Sequence, residues 1–434
     1  MNEKVTCDCC VVGGGPAGIV LGLLLARAGV RVTVLEKHGD FLRDFRGDTI
    51  HPSTLEVMHQ LGILERFLKV PHRRVEQLGL VVGDCEFPIA DFRHLPTQCR
   101  FVAFMPQWDF LNFIAQESAR YPTYSLRMRT EAKELIQESG RTVGVRASGP
   151  DGPIEVRASL VVGADGRQSL LRDQAGLQVQ SLGAPMDALW FRLPRLPDDP
   201  PQPLGRFQGG RILIMIDRGE HWQVAYVIAK GTLEEFRREG LDAFREVIAG
   251  LVPFARARLS EIRSLDELKL LSVRIDRLRE WYRPGLLFLG DAAHAMSPVG
   301  GVGVNLAIQD AVAAANELAR PLREGRLTTN HLRRVQERRS FPTRITQRLQ
   351  MAMQDSMIYP ALAGKAKTVN PPPVFHVLRR FPVLRRIPAT LMGMGIRMER
   401  VRTVDATVGG GREGANGPRG TGPRPSPPSR RASS

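Results

Sequence analysis

Aromatic residues make up only 6% of this 434-residue chain, and it holds just five cysteines. So few cysteines, odd in number, provide no disulfide framework and suit a reducing compartment. Cys7, Cys9 and Cys10 stand close together, yet they lie on an apolar run whose alternate residues point to opposite faces. No second His or Cys group follows nearby. Buried strand cysteines are therefore expected, and no metal site. Nor does any apolar run approach the roughly 20 residues of a membrane-spanning helix, and no basic segment precedes the first apolar stretch. The expectation is a cytoplasmic protein without a span or signal peptide.

Negative charge is also in deficit, with a net charge of +16. The excess is local. Residues 409–434 hold five arginines and one glutamate, and residues 365–408 hold nine basic and two acidic residues, which leaves +5 for residues 1–364. The body of the chain thus lacks the field of a nucleic-acid-binding protein, and no nucleic-acid partner is expected. The last 26 residues, rich in Gly, Pro, Ser and Arg, have almost nothing to bury and are expected to be disordered.

What the chain does have starts early, with CVVGGGPAG. Val11 and Val12 close an apolar strand, Gly13 takes the tight turn, Gly15 admits a pyrophosphate to the backbone, and Gly18 lets the next helix pack on the sheet. Ala17 belongs to the same turn. The helix continues as the apolar run Ile19 to Ala28, and its N-terminal N–H groups and dipole attract an anion. A second strand, VTVLEK, ends in Glu36, about 20 residues on, where a carboxylate accepts the ribose hydroxyls of a dinucleotide. It would repel a 2′-phosphate, which argues against NADP at this position. A glycine turn alone is common; strand, glycines, helix, strand and acid in this order form a dinucleotide-binding unit.

After Glu36 a loop leads to an amphipathic helix in which Ser53 and Glu56 are spaced as a capping box. Strand patterns run from Val75 to Ile89, a helix from Gln107 to about Tyr121, and the strands TVGVRAS and IEVRASL flank the turn GPDG. From Leu177 to Arg274 the runs LWFRLP, GRFQ, RILIMID and WQVAYVIA predict an antiparallel sheet, followed by one helix from Leu233 to Leu251. The chain then returns through the buried strand of PGLLFLGDAAH.

Three motifs need one explanation: GGGPAG with Glu36, GADGRQSLLR from Gly163, and GDAAHAMSPVGGVGVN from Gly290. Their order and spacing resemble the class A flavoprotein monooxygenases of the para-hydroxybenzoate hydroxylase fold, over roughly residues 5 to 350. The fold class implied is α/β, with a Rossmann-like FAD-binding domain interrupted by a mainly antiparallel β-sheet substrate domain, and a C-terminal helical cap. The expected divisions are 1–74, 99–176 and 275–350 for the FAD-binding domain and 75–98 and 177–274 for the substrate domain. A helical region, 351–408, and the tail, 409–434, follow.

The resemblance also places the cofactor. FAD is expected on Gly13, Gly15, Ala17, Gly18, Glu36 and Lys37, with Asp291 of the GD motif on ribityl or pyrophosphate oxygens and Gly290 permitting the close approach. For Asp291 a helix N-cap is the plainer alternative. Asp165 and Gly166 match the family's DG motif, implicated in the use of NAD(P)H as co-substrate without a second nucleotide fold. Gly301, Gly303, Val304 and Asn305 would face the isoalloxazine, at the N-terminus of a helix starting near Val304. Pro298 matches the proline beside flavin C4a. Arg46 and Gln107 match further cofactor contacts, although a surface ion pair also accounts for Arg46. Asp48 follows that arginine, where it could assist phenol deprotonation. His294 is expected to be structural.

The activity implied is hydroxylation of an aromatic, quinone-like or polyketide-type substrate with NAD(P)H and O2, through a flavin C4a-hydroperoxide. The W-x-W-x-I-P pattern of flavin halogenases and the Y-x-W-x-F-P pattern of isoprenoid reductases are absent. Reduction of an isoprenoid double bond, or a non-catalytic flavin-binding role, stays as the alternative. The C-terminal region pairs apolar residues with Arg379, Arg380, Arg385 and Arg386, while Pro382 and Pro388 prevent one long helix. A helical cap with solvated arginines is the preferred reading, and peripheral contact with an anionic membrane the other.

Overall fold

A computed structural model describes residues 3–42, 49–201, 204–362 and 371–409. Two sheets organise the chain. In the first, the strands run in the order Tyr282–Arg283, Leu286–Phe288, Gly152–Gly163, Glu3–Val12, Val32–Leu35 and Tyr124–Arg127. The inner pairings, from Leu286–Phe288 to Tyr124–Arg127, are all parallel. Strands Arg141–Gly149 and Glu131–Glu138 add to it in antiparallel fashion. The central strand is buried from Cys9 to Val12, as a parallel strand covered on both faces must be, and Cys9 and Cys10 lie there at 0% exposure. Helix Pro16–Arg27 crosses between the first two strands and packs against helix Gly303–Arg323.

The second sheet has seven strands, in the order Lys269–Ser272, Met186–Pro194, His221–Ala229, Arg211–Asp217, Gly205–Gln208, Gln77–Val82 and Cys85–Asp91. Every neighbour is antiparallel except Gly205–Gln208 with Gln77–Val82. That one parallel pairing is where an early hairpin joins strands formed more than a hundred residues later. Alternation divides the sheet's residues cleanly. Leu189, Phe191, Leu213, Met215 and Val224 pack under Phe244 and Ile248 of helix Leu241–Leu251. Ala188, Trp190, Ile216 and Ala225 point the other way, toward Phe92, Val102, Phe104 and Ala389.

Two local expectations need correction. The helix expected over Leu233 to Leu251 is two, Leu233–Glu239 and Leu241–Leu251, because Gly240 adopts φ 87°. The capping box of Ser53 and Glu56 does not form. Pro52 occupies the first helical position, so the helix is Pro52–Gln60 and its cap is His51, without a side-chain bond. Glu56 instead accepts from Gln60 and from the backbone of Gln98.

The C-terminal part forms helices Pro373–Arg380 and Arg386–Gly393, joined by a 3-10 turn that starts at Pro382. Both pack on strand Cys85–Asp91. No helix among the described residues is long and apolar enough to cross a membrane. The tail from 410 onward lies outside the described residues.

Strand alignment in the first sheet depends on close contact at Gly163, where an added Cβ would lie 2.5 Å from the Phe288 ring. Gly163→Ala is expected to destabilise the protein by about 1–3 kcal/mol through overpacking, measured by urea unfolding. An unchanged midpoint would show that the ring has room to move.

Candidate active site

Val12 pairs with both Leu35 and Gly163, and Gly163 pairs with Phe288. Four parallel strands therefore stop at one level, and their following turns emerge along a single edge. Open parallel sheets bind ligands at this carboxyl edge. Three sequence motifs that start at Gly13, Gly163 and Gly290 are brought together this way.

At the first turn Gly13 adopts φ 108°, and its N–H donates to Leu35 O at 2.8 Å. A Cβ there would sit 2.3 Å from Ala164 O, and one on Gly18 would sit 1.9 Å from Gly13 O. Gly15 differs: nothing lies within 4 Å of the position its Cβ would take. It caps helix Pro16–Arg27, and among the described residues no side chain caps the helix start. An open cradle thus faces the positive helix end. Glu36, 8% exposed, accepts from Gly14 N at 2.9 Å and from His38 N at 3.0 Å. Ala17 is buried, and Lys37 is exposed. Arg46 and Asp48 lie outside the described residues.

The second and third turns meet through an ion pair. Arg167 Nε donates to Asp291 Oδ2 at 2.8 Å, with both side chains about one-third exposed or less. Asp291 sits inside the 3-10 turn Gly290–Ala292 and makes no side-chain cap, so the N-cap alternative is set aside. Burial pushes the Asp165 carboxyl up from its ordinary value, with Ser169 and the Leu171 N–H opposing. Asp165 Oδ1 and Arg167 Nη1 are both buried without a hydrogen-bond partner among the described residues. Gly166 has φ 85° and open space around it. Gly290, at φ 58°, brings its backbone close to Ala17 and Ala307, whose Cβ atoms would each lie 3.2 Å from an added Cβ.

Beyond Gly290 the chain makes the loop that carries Pro298 and then Gly300 and Gly301, both at positive φ. Helix Gly303–Arg323 follows, so Gly303, Val304 and Asn305 form its first turn. Asn305 is a junction. Its Oδ1 accepts from His51 N and Thr54 Oγ1, each at 2.8 Å, and its Nδ2 donates to Thr49 O at 3.1 Å. The Asn305 side chain thereby ties the helix start to Thr49, His51 and Thr54. Thr49 Oγ1 donates to Gly301 O at 3.0 Å. Gln107 opens helix Gln107–Ser118 just after strand Val102–Phe104, which pairs with Thr49–Ile50.

Several supporting residues carried no sequence motif. Gln347 donates to the Asp276 and Ala295 carbonyls, Gln350 to Ser297 O and Val299 O, and Gln354 to Ser297 Oγ. Their spacing, i, i+3 and i+7, is that of one helix face, which is the signal that could have found them. They hold the Pro298 loop from behind. Asp310, at 0% side-chain exposure, accepts from Gly290 N at 3.3 Å, His294 Nε2 at 2.6 Å and Arg339 Nε at 2.8 Å. Burial alone would raise the Asp310 carboxyl, but His294 and Arg339 hold it below its ordinary value. Arg339 Nη1 also reaches Arg397 O and Glu399 Oε1, and Arg338 pairs with Glu399. His294 is thus part of a buried charge network, packed against the Trp281 ring.

This edge fits FAD. The Gly15 cradle matches a pyrophosphate, Glu36 a ribose, and the unpaired Asp165 and Arg167 atoms offer further polar contacts. Residues 6–349 match the family model described as FAD binding domain. The chain belongs to the class A flavoprotein monooxygenases. This monooxygenase is 32% identical over 386 residues to 6-methylpretetramide 4-monooxygenase of Streptomyces rimosus, covering 88% of this chain and 91% of that one. It is 32% identical over 345 residues to rifampicin monooxygenase of Streptomyces venezuelae, covering 75% and 68%. In fold it matches p-nitrophenol 4-monooxygenase of Pseudomonas putida, with a TM-score of 0.71 at 23% identity, covering 91% of this chain and 100% of that one. The monooxygenase is an FAD-dependent oxidoreductase of a family that takes its electrons from NAD(P)H. These relatives support oxygen insertion, and the isoprenoid-reductase and non-catalytic alternatives are set aside.

Removing Arg339 would leave Asp310 and Glu399 as buried carboxylates short of a partner. Arg339→Met is expected to cost about 3–5 kcal/mol in denaturant unfolding, and Arg338→Met, at the partly exposed end of the network, clearly less. Equal effects would mean that the inner pair is not the one that matters.

His51 gives a pH prediction. Its Nδ1–H donates to Met392 O, 2.7 Å away, and burial pushes its pKa down from 6.5 to about 4. The unfolded chain therefore takes up this proton before the folded one does. Stability present above pH 6.5 should fall as the pH drops toward 4, by up to about 3 kcal/mol from this group. In His51→Gln the decline over that interval should be shallower, as read from unfolding midpoints across pH. An identical slope would assign the acid sensitivity elsewhere.

Proposed function

We propose that this monooxygenase hydroxylates a phenolic substrate of polyketide or quinone-like type, using NAD(P)H and O2. The observation that carries the reading is the nearly end-to-end match, in both chains, with a protein named 6-methylpretetramide 4-monooxygenase. Bound FAD supplies the electron transfer and oxygen activation, so the protein needs to position substrate and exclude water.

The roles proposed for its residues follow the family resemblance, and for Arg46 and Asp48, outside the described residues, they rest on it alone. The Gly13–Gly18 turn holds the pyrophosphate, Glu36 the ribose hydroxyls, and Asp291 with Asp165 and Gly166 the middle of the cofactor. Lys37, Arg46 and Gln107 are further contacts. Gly303, Val304 and Asn305 present backbone N–H groups at a helix start, where negative charge on the reduced ring is stabilised, and Gly301, whose own N–H donates to Pro298 O, shapes the turn before them. Pro298, braced by Gln350, borders the reacting edge, and Asp48 takes the phenolic proton.

The seven-stranded sheet is the proposed substrate domain, made from residues 75–98 and 177–274. Its face bearing Ala188, Trp190, Ile216 and Ala225 is the one proposed to meet substrate. The opposite face is closed by helix Leu241–Leu251. The proposed face also leads back to the flavin end: Val102 and Phe104 pack on it, their strand pairs with Thr49–Ile50, and Thr49 bonds the Gly301 loop. Its apolar character suits a hydrophobic aromatic better than a small benzoate.

The test is NAD(P)H oxidation by the purified yellow protein under isotopically labelled O2, with a panel of phenolic polyketides and quinone precursors. One labelled oxygen atom in a product supports the reading; oxidation coupled only to hydrogen peroxide for every phenol in the panel overturns the substrate class. Gly15→Ala separates binding from folding. Its Cβ meets no atom of the protein, so stability of the apoprotein should change by less than about 0.5 kcal/mol. Flavin affinity should drop at least about tenfold, read by fluorescence titration, since the methyl group would occupy the pyrophosphate's space. Unaltered affinity would move the cofactor away from this turn.

A further inference from the structure

The C-terminal helices bury one face and leave the other bare. Phe375, Leu378 and Ala389 are buried, and the Phe375 ring lies 5.8 Å from that of Phe87 in the sheet. On the outer side Val374, Val377, Phe381, Val383 and Ile387 are between 42% and 59% exposed. Among the described residues, ten of the sixteen exposed large apolar side chains fall between Phe341 and Leu391. Leu391 lines a small cavity with Pro342 and Thr346. Leu391 thus places the C-terminal helices beside helix Thr329–Met353, which carries exposed Phe341, Leu349 and Met353. A concentration of exposed apolar side chains of this kind marks an interaction site.

The charge around it selects the partner. Between residues 356 and 398 there are seven basic residues and no acidic one. Arg385 spends its donors on the carbonyls of Leu378 and Arg379, and the Arg380 guanidinium lies 5.6 Å from the Phe381 ring. None of Arg379, Arg380, Arg385 and Arg386 has a carboxylate partner among the described residues. Elsewhere on the surface Arg31, Arg93 and Arg146 each pair with an acid at 2.6 Å. A second copy docking on this face by two-fold symmetry would set like charges against each other. Nucleic acid would match the arginines but offer nothing to the aliphatic row.

We propose that this face docks on the surface of an anionic lipid bilayer. The arginines sit at headgroup level, and Phe381, Val383 and Ile387 enter the acyl boundary. Such a surface supplies both of the chemistries that the face displays. The inference goes beyond the oxygenation reading and does not depend on it.

Flotation of the FAD-loaded full chain with vesicles tests it, comparing phosphatidylglycerol mixed with phosphatidylcholine against phosphatidylcholine alone. The protein should float with the anionic vesicles only, and less so as salt is raised. The triple variant Phe381→Ser, Val383→Ser, Ile387→Ser keeps every arginine of the face and of residues 409–434, and its partition should fall at least about tenfold. Arg379→Gln with Arg380→Gln should lower it by a similar factor, at roughly fivefold for each charge lost. Melting temperature and flavin content serve as folding controls for both. Absence of flotation with anionic vesicles overturns the proposal, as does undiminished flotation of the triple variant. Self-association in sedimentation that vanishes in the triple variant would also overturn it, by assigning the face to a second copy.

Discussion

Because Val12 is in register with Leu35 on one side and Gly163 on the other, and Gly163 with Phe288, the turns after these residues can only emerge side by side. Everything else at the site is a consequence of that alignment. It sets Glu36 against the Gly14 backbone, Asp165 beside the first turn, and the Gly290 loop against Ala17. The alignment has a steric requirement: Gly13, Gly18 and Gly163 stand where an added carbon would come within 2.5 Å of neighbouring atoms. Glycine is needed there for approach as much as for backbone freedom. At Gly15 the same residue type leaves a space that the protein itself does not use.

The parts of this arrangement that were legible in the sequence are those with a local signature. A strand followed by GGGPAG, or a GD turn after PGLLFL, announces itself within ten residues, because turn geometry and helix-end chemistry restrict which residues serve. The sheet face that closes on a helix was not legible. Alternation in LWFRLP and WQVAYVIA shows that two faces exist, but which one meets Phe244 depends on a helix outside both strands. Pro52 displaced the expected Ser53 cap for a local reason that competes with the capping-box pattern, and Gly240 divided a helix at a single residue. The buried acid Asp310 and its partners His294 and Arg339 were illegible for a different reason. Each residue type is unremarkable alone, and only the packing of helix Gly303–Arg323 against helix Thr329–Met353 and the loop after Gly290 makes them one network.

That network changes how the C-terminal segment is to be understood. Glu399 and the Arg397 carbonyl meet Arg339 inside the protein, and Arg339 meets Asp310, which bonds the Gly290 N–H at the cofactor edge. Buried ion pairs gain little net stability over apolar packing, but an incomplete one is costly, so such a chain favours one arrangement over its alternatives. The C-terminal segment is therefore tied into the nucleotide edge.

The same segment has a second attachment on its inner side. Met392 O bonds the His51 ring, and the His51 N–H bonds Asn305, so helix Arg386–Gly393 is connected to the flavin end by two hydrogen bonds in series. Ile387 and Leu391 point outward from that helix while Ala389 and Gly393 are buried beneath it. An added Cβ on Gly393 would come within 2.8 Å of Leu95, so the helix lies as close to the body as its backbone allows. The outer apolar row is accordingly not a loose appendage. Its position is determined by contacts that run through His51 and Asn305 to the loop of Gly301, and the exposed face and the cofactor edge are two sides of one packed layer.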